Sequence, residues 1–161
     1  MAMALADQEA RLARRDDPDR AERLEHLDRL HTERLRQIVE RFGWPGRLTA
    51  GEAGSQAAWL LVQHADHDPG FQRHCLELLE GAAGRGEADP RHVAFLTDRV
   101  LIHEGKPQRF GTQLHMEDGR LAPIPVEDPE GLDERRRSAG LAPIEDYVRE
   151  TELAHGLIPT D

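Results

Sequence analysis

Five of the six residues in Gln63-His64-Ala65-Asp66-His67-Asp68 carry side chains that can hydrogen-bond or titrate, and they follow the apolar run Trp59-Leu60-Leu61-Val62 directly. Histidine changes charge close to neutral pH, so an imidazole here can serve as general acid or base once a carboxylate orients it. His64 is the candidate proton-transfer residue. Asp66 is the candidate orienter, because a helix that ends at this point can bring the two side chains together. Gln63 offers a neutral hydrogen bond to a substrate or to a developing oxyanion. The plain structural alternative is a buried histidine satisfied by a backbone carbonyl. Asp68 precedes Pro69 and reads as a helix cap, His67 reads as surface, and Gln72 points back toward the same junction.

A second group lies further along. Asp98-Arg99 falls inside an apolar helical pattern, and a buried charge there needs a partner. Asp98 therefore reads as half of a salt bridge between helices or as a substrate contact, and Arg99 as a structural clamp or as the bidentate anchor of a carboxylate or phosphate. Gln108 and the run Phe110-Gly111-Thr112-Gln113 come next. Gly111 permits close backbone approach, while Thr112 and Gln113 suit recognition of an amide, a carbonyl or an oxyanion. The expectation is that His64, Asp98, Arg99 and Gln113 face one solvent-reachable hollow.

Other chemistries are less well served. A metal held by His64, Asp66 and a distant histidine is an alternative, yet the chain has no H-E-x-x-H and only one cysteine, and no paired Glu-x-x-His was found. No cofactor is expected. "GAAGRG" at 81–86 follows a helix and so terminates it rather than cradling phosphate, and Ser55 and Ser138 lack a nucleophile-elbow context.

These groups must be positioned by helices. The spacing predicts a helix over 3–16 and a second that restarts at Asp17-Pro18 and runs to Phe42. Its stripe is Leu24, Leu27, Leu30, Ile38 and Phe42, widened by Leu35 and Val39, and "GWPG" ends it. A third helix spans 49–65, a fourth 69–86 after the Asp68 cap, and a fifth 91–105 after Asp89-Pro90. Asp118-Gly119 then marks a β-hairpin, and two short helices separated by "AGLAP" close the chain. The fold class is mainly α: a single-domain bundle of five to seven helices with a small late hairpin. Residues 1–18 form a peripheral helix, 20–105 the helical core, 106–126 the hairpin, and 127–161 the short C-terminal helices.

Length and charge narrow the class. The 161 residues suffice for one real core, and no apolar run reaches membrane-spanning length. The N-terminus lacks a signal-peptide pattern, so the expectation is a cytoplasmic protein. A net charge of -10 argues against nucleic-acid binding, which the short "ERRR" at 134–137 does not reverse. One lysine and no asparagine mark a GC-rich genome. Cys75 reads as a small buried hydrophobe.

Taken in order, "LDRLHTERLRQIVERFGWPG", "WLLVQHADHDPGFQ", "FLTDRVLIHEGKPQRFGTQ" and "PIPVEDPEGLDERRRSAGLAPIEDY" resemble a bacterial family of unknown function with Gln-His-Ala-Asp and Tyr-Gly-Thr-Gln motifs. The resemblance runs from about residue 25 to Tyr147 and implies no activity. This chain departs from it twice. Phe110 replaces the motif tyrosine, so a phenol there is not required, and His31 stands where relatives carry asparagine and adds a titratable candidate. The leading reading is a small cofactor-independent enzyme using acid–base chemistry on a small polar metabolite, by hydrolysis, elimination or isomerisation. His64 and Asp66 would be catalytic. Gln63, Gln72, Asp98, Arg99, Gln108, Thr112, Gln113 and His31 would bind substrate. The alternatives are a non-catalytic small-molecule-binding module and a metal-dependent hydrolase. A second copy of the chain is the one candidate macromolecular partner; neither nucleic acid nor membrane is expected.

Overall fold

The structure is a computed structural model that describes residues 2–12 and 18–159. Among them are seven α-helices: α1 (Ala2–Leu12), α2 (Arg20–Phe42), α3 (Arg47–Gln63), α4 (Pro69–Gly84), α5 (Pro90–His103), α6 (Leu132–Ser138) and α7 (Ile144–Ala154). One antiparallel hairpin, β1 (Leu114–Glu117) with β2 (Arg120–Pro123), sits between α5 and α6. The chain is thus mainly helical with a small late hairpin, as its sequence predicts. No helix among the described residues is long and apolar enough to cross a membrane. Contacts group the chain into two compact units, residues 1–92 and 93–161, with the division falling inside α5.

In the first unit, α1 packs on α2 and α3, and α3 packs on α4. Their shared core is Leu35 and Val39 of α2, Ala58, Leu61 and Val62 of α3, and Phe71, Cys75 and Leu79 of α4. The restart expected at Asp17 lies outside the described residues, and α2 begins at Arg20, directly after Asp19. Its buried face differs from the expected stripe: His31, Thr32, Leu35 and Val39 face inward, while Leu30 and Phe42 are exposed. Two polar residues on the inward face shift the apolar pattern away from the true one, since periodicity counts only hydrophobes. Between α2 and α3 the chain turns at "GWPG" as expected, but α3 starts at Arg47 and is kinked at Gly51.

The caps agree with the sequence reading. Phe71 N–H donates to Asp68 Oδ1 at 3.0 Å with Pro69 in the first turn, and Arg91 N–H donates to Asp89 Oδ1 at 2.9 Å. Arg36 of α2 pairs with Asp68 and lies 4.4 Å from the Phe71 ring centre, fastening α2 to the start of α4. Cys75 is fully buried, and burial pushes its thiol up to about 12. The thiolate is the reactive form. The folded chain is therefore expected to leave a disulfide reagent such as Ellman's reagent unreacted at pH 8, and the urea-unfolded chain to release one thiol equivalent promptly. Fast reaction without denaturant would show that this core opens.

In the second unit, β1 and β2 pair in the register Leu114 with Pro123 through Glu117 with Arg120. Asp118 and Gly119, at φ 48° and 83°, form the primed turn that matches strand twist. α7 packs on β2 and on α6. Glu152 of α7 accepts both Arg120 Nε (2.7 Å) and Nη2 (2.8 Å), together with the Leu121 amide, so one carboxylate fastens the hairpin to the last helix.

Candidate active site

α3 ends at Gln63, which leaves His64 at its C-cap position with its N–H turned back to Leu61 O and the Ala65 N–H turned back to Val62 O. Helix ends leave carbonyls without intrahelical partners. Gln72 supplies a donor to two of them from α4: its fully buried amide donates to Val62 O at 3.0 Å and to Gln63 O at 3.5 Å. The same amide donates to Asp66 Oδ1 at 3.1 Å. Gln72 does point back to the junction, and its observed bonds hold the elbow in shape. Asp66 is exposed and engaged by Gln72, and the carboxylate on the His64 ring comes from elsewhere.

That carboxylate is Asp7 of α1. Asp7 Oδ2 lies 2.8 Å from His64 Nδ1; Asp7 is fully buried, whereas the His64 side chain is 21% exposed. Arg11, one turn further along α1, reaches both oxygens of Asp7 through Nε (3.2 and 3.3 Å) and pairs with Asp28 of α2. Its Nε also stands 3.0 Å from His64 Nδ1. One ring nitrogen cannot both donate to Asp7 and accept from Arg11. Burial pushes the Asp7 carboxyl up, but the hydrogen bonds and charges of His64 and Arg11 outweigh it and hold the group below its ordinary value. An ionised Asp7 is acceptor-only, so Nδ1 carries the hydrogen and donates, and the Arg11 Nε–H is directed to Asp7.

His31 and Asp28 complete the cluster. They are three residues apart on α2 and so share a face. His31 is 5% exposed, and its Nδ1 finds no partner among the described residues. Burial pulls its imidazole below the ordinary value; Asp7 and Asp28 push it back up, and Arg11 adds to the lowering. Burial raises the Asp28 carboxyl against the opposing charges of Arg11 and His64. Gln63 is equally buried at 5%, and its Nε2 has no partner among the described residues.

The remaining candidates lie in the second unit. Asp98 is fully buried, and its partners are not those of an interhelical salt bridge. Its Oδ1 accepts the amides of Arg109 (2.8 Å) and Phe110 (2.9 Å), while its Oδ2 accepts the Thr112 amide (2.8 Å) and hydroxyl (2.9 Å). Gln108, also fully buried, staples the same loop: its Nε2 donates to Gln113 O and Ile124 O, and its Oε1 accepts the Gln113 amide at 2.7 Å. Arg136 is 1% exposed and donates to Phe110 O and Ala142 O, and Tyr147 donates to Thr112 O at 2.9 Å. At Gly111, φ is +64° and a Cβ would meet Ile144 at 3.3 Å and Val126 at 3.4 Å, so this loop position needs glycine twice over. Thr112 is thereby a loop anchor. The Gln113 amide rests on the Thr112 hydroxyl at 3.0 Å, and Arg99 is half-buried on α5.

Within the first unit the structure brings His64 together with Asp7, Arg11 and Asp28, none of which the sequence reading singled out, and sets His31 among the same charges. A signal for Asp7 and Arg11 existed in their i, i+4 spacing on one helix face, the geometry of an ion pair. Nothing in the sequence says that this face turns toward residue 64. No curated protein and no solved structure matches the chain. Residues 1–159 match the model of a family of unknown function (DUF6624), and the chain belongs to that family.

Proposed function

We propose that this protein is a small enzyme that transfers protons to and from a small polar metabolite at His64, in a hydrolysis, elimination or isomerisation that needs no cofactor. The observation that carries the reading is the contact between a fully buried Asp7 carboxylate and Nδ1 of a part-exposed imidazole at 2.8 Å. A carboxylate on Nδ1–H fixes the ring orientation and leaves the lone pair on Nε2, where it can accept a substrate proton. The same carboxylate stabilises the imidazolium that results. Asp7 is thus a positioning residue, the role first given to Asp66. Gln63, next in sequence and with a buried unpartnered amide, supports a contact to a developing oxyanion.

The roles of Asp98, Gln108 and Thr112 narrow accordingly: their bonding capacity goes to the loop around Gly111. The reading rests on the first unit alone. Its test is a turnover screen of wild-type protein against esters, amides, hydroxy acids and amino acids, repeated with His64→Ala and Asp66→Ala. Activity lost in the first variant and kept in the second supports the assignment. Equal activity in all three proteins overturns it. A wild-type protein that retains a metabolite yet turns over nothing favours the binding-module alternative.

A further inference from the structure

We propose that Asp7, Asp28 and His64 form a site for one divalent transition-metal ion, which displaces the Arg11 guanidinium and acts as a brake on the reaction at His64. Each residue offers one ligand atom, and these atoms all lie within 4.8 Å of one another. Ligands about 2.1 Å from a tetrahedral ion lie about 3.4 Å apart, so the widest of these separations must close by up to about 1.4 Å, a change within reach of side-chain rotation. Two carboxylates with one imidazole suit zinc or manganese better than calcium, which takes six to eight oxygens.

Two observations separate this cluster from an ordinary acidic patch. The first is His31, nine-tenths buried, with an Nδ1 that bonds nothing among the described residues. It sits one turn from Asp28 on the same face of α2, and the charges acting on it are those of Asp7, Asp28 and Arg11, so an unsatisfied imidazole nitrogen lies buried within electrostatic reach of the cluster. The second is Arg11 itself. Its guanidinium bonds Asp7 and Asp28 and lies 3.0 Å from His64 Nδ1, so a cation already stands among the three; an incoming ion would take its place and the Nδ1 hydrogen would move to Nε2. The Arg11 side chain is 27% exposed, which gives it a path out.

The regulatory part rests on the reading of His64 given above. An ion on Nδ1 leaves the ring's hydrogen on Nε2, so that nitrogen can no longer accept a proton from substrate. Ion loading and proton abstraction then exclude each other. The binding part stands independently of any turnover.

The test is calorimetric titration of the chelator-treated full chain with Zn²⁺, in wild type, Arg11→Ala and Asp28→Ala, with folding checked by circular dichroism. Wild type is expected to take one ion per chain at this site. Arg11→Ala, which removes the competing cation, should bind it more tightly. Asp28→Ala, which removes a ligand, should weaken it by about 10–100-fold or more. Should Arg11→Ala unfold α1, Arg11→Met keeps the aliphatic stem and serves in its place. Equal Zn²⁺ binding across wild type, the Arg11 variant and Asp28→Ala would mean only scattered surface histidines bind, and it overturns the site. That outcome leaves the proton-transfer role of His64 to its own screen. Conversely, a positive titration beside a fully active His64→Ala would sink the enzyme reading and the brake but not the site.

Discussion

Replacing Asp98 with alanine is expected to lower folding stability by about 3–5 kcal/mol, read as a fall in the urea midpoint with an unchanged slope. The side chain is fully buried and is the shared acceptor for three backbone amides and one hydroxyl. Its removal leaves all four donors without this acceptor, the two of Thr112 buried, and each donor stranded away from water costs about 1–3 kcal/mol before the loop relaxes. Folded chains have only about 5–15 kcal/mol in hand, so the melting temperature should drop by roughly 10 °C. Asp98→Asn is a sharper probe. It keeps the shape and one acceptor oxygen but turns an N–H toward a pair of donors, so it should still destabilise strongly. A loss below about 1 kcal/mol in both variants would show that the Gly111 loop does not depend on this carboxylate.

The second large effect is on rate. His64→Ala should reduce turnover of any substrate found by about 10²–10⁴-fold, the range of a positioned general acid or base. The fold should survive, because the ring is part-exposed at a helix end and Arg11 still pairs with the buried Asp7, although stability falls with the lost His64 bond. Asp7→Asn keeps the shape of the orienter and removes its charge, so a smaller rate loss is expected. Asp66→Ala should leave the rate near wild type, because Asp66 is engaged by Gln72 at the surface of the elbow. This ordering separates the dyad actually formed from the one suggested by nearness in sequence.

The contrast between Asp66 and Asp7 shows what the sequence can carry. Local grammar was legible: Asp68-Pro69 and Asp89-Pro90 do open helices, Asp118-Gly119 does turn a hairpin, and Cys75 is a core residue. These depend on neighbours within a few positions. Asp7 lies 57 residues from His64, and their meeting depends on how α1 settles against α2 and α3, which no local pattern encodes. The inward face of α2 departs from its hydrophobic stripe for a related reason. His31 and Thr32 are buried there, and a hydrophobic count reads them as solvent-facing. Asp98 was rightly expected to need a partner. The partner proved to be backbone, and amides leave no trace in residue types.

The proton-transfer role proposed for His64 turns on which of its ring nitrogens holds the hydrogen. Long-range ¹H–¹⁵N correlation on uniformly labelled, chelator-treated protein reads this directly, with Asp7→Asn as the comparison. The prediction is that the uncharged form of the ring holds its hydrogen at Nδ1 and is bare at Nε2, with that preference weakened once Asp7 loses its charge. A ring protonated at Nε2 in wild type, with Nδ1 accepting from Arg11, would contradict it: Asp7 would then not be the orienter, and the ring would have no free nitrogen with which to take a proton from substrate.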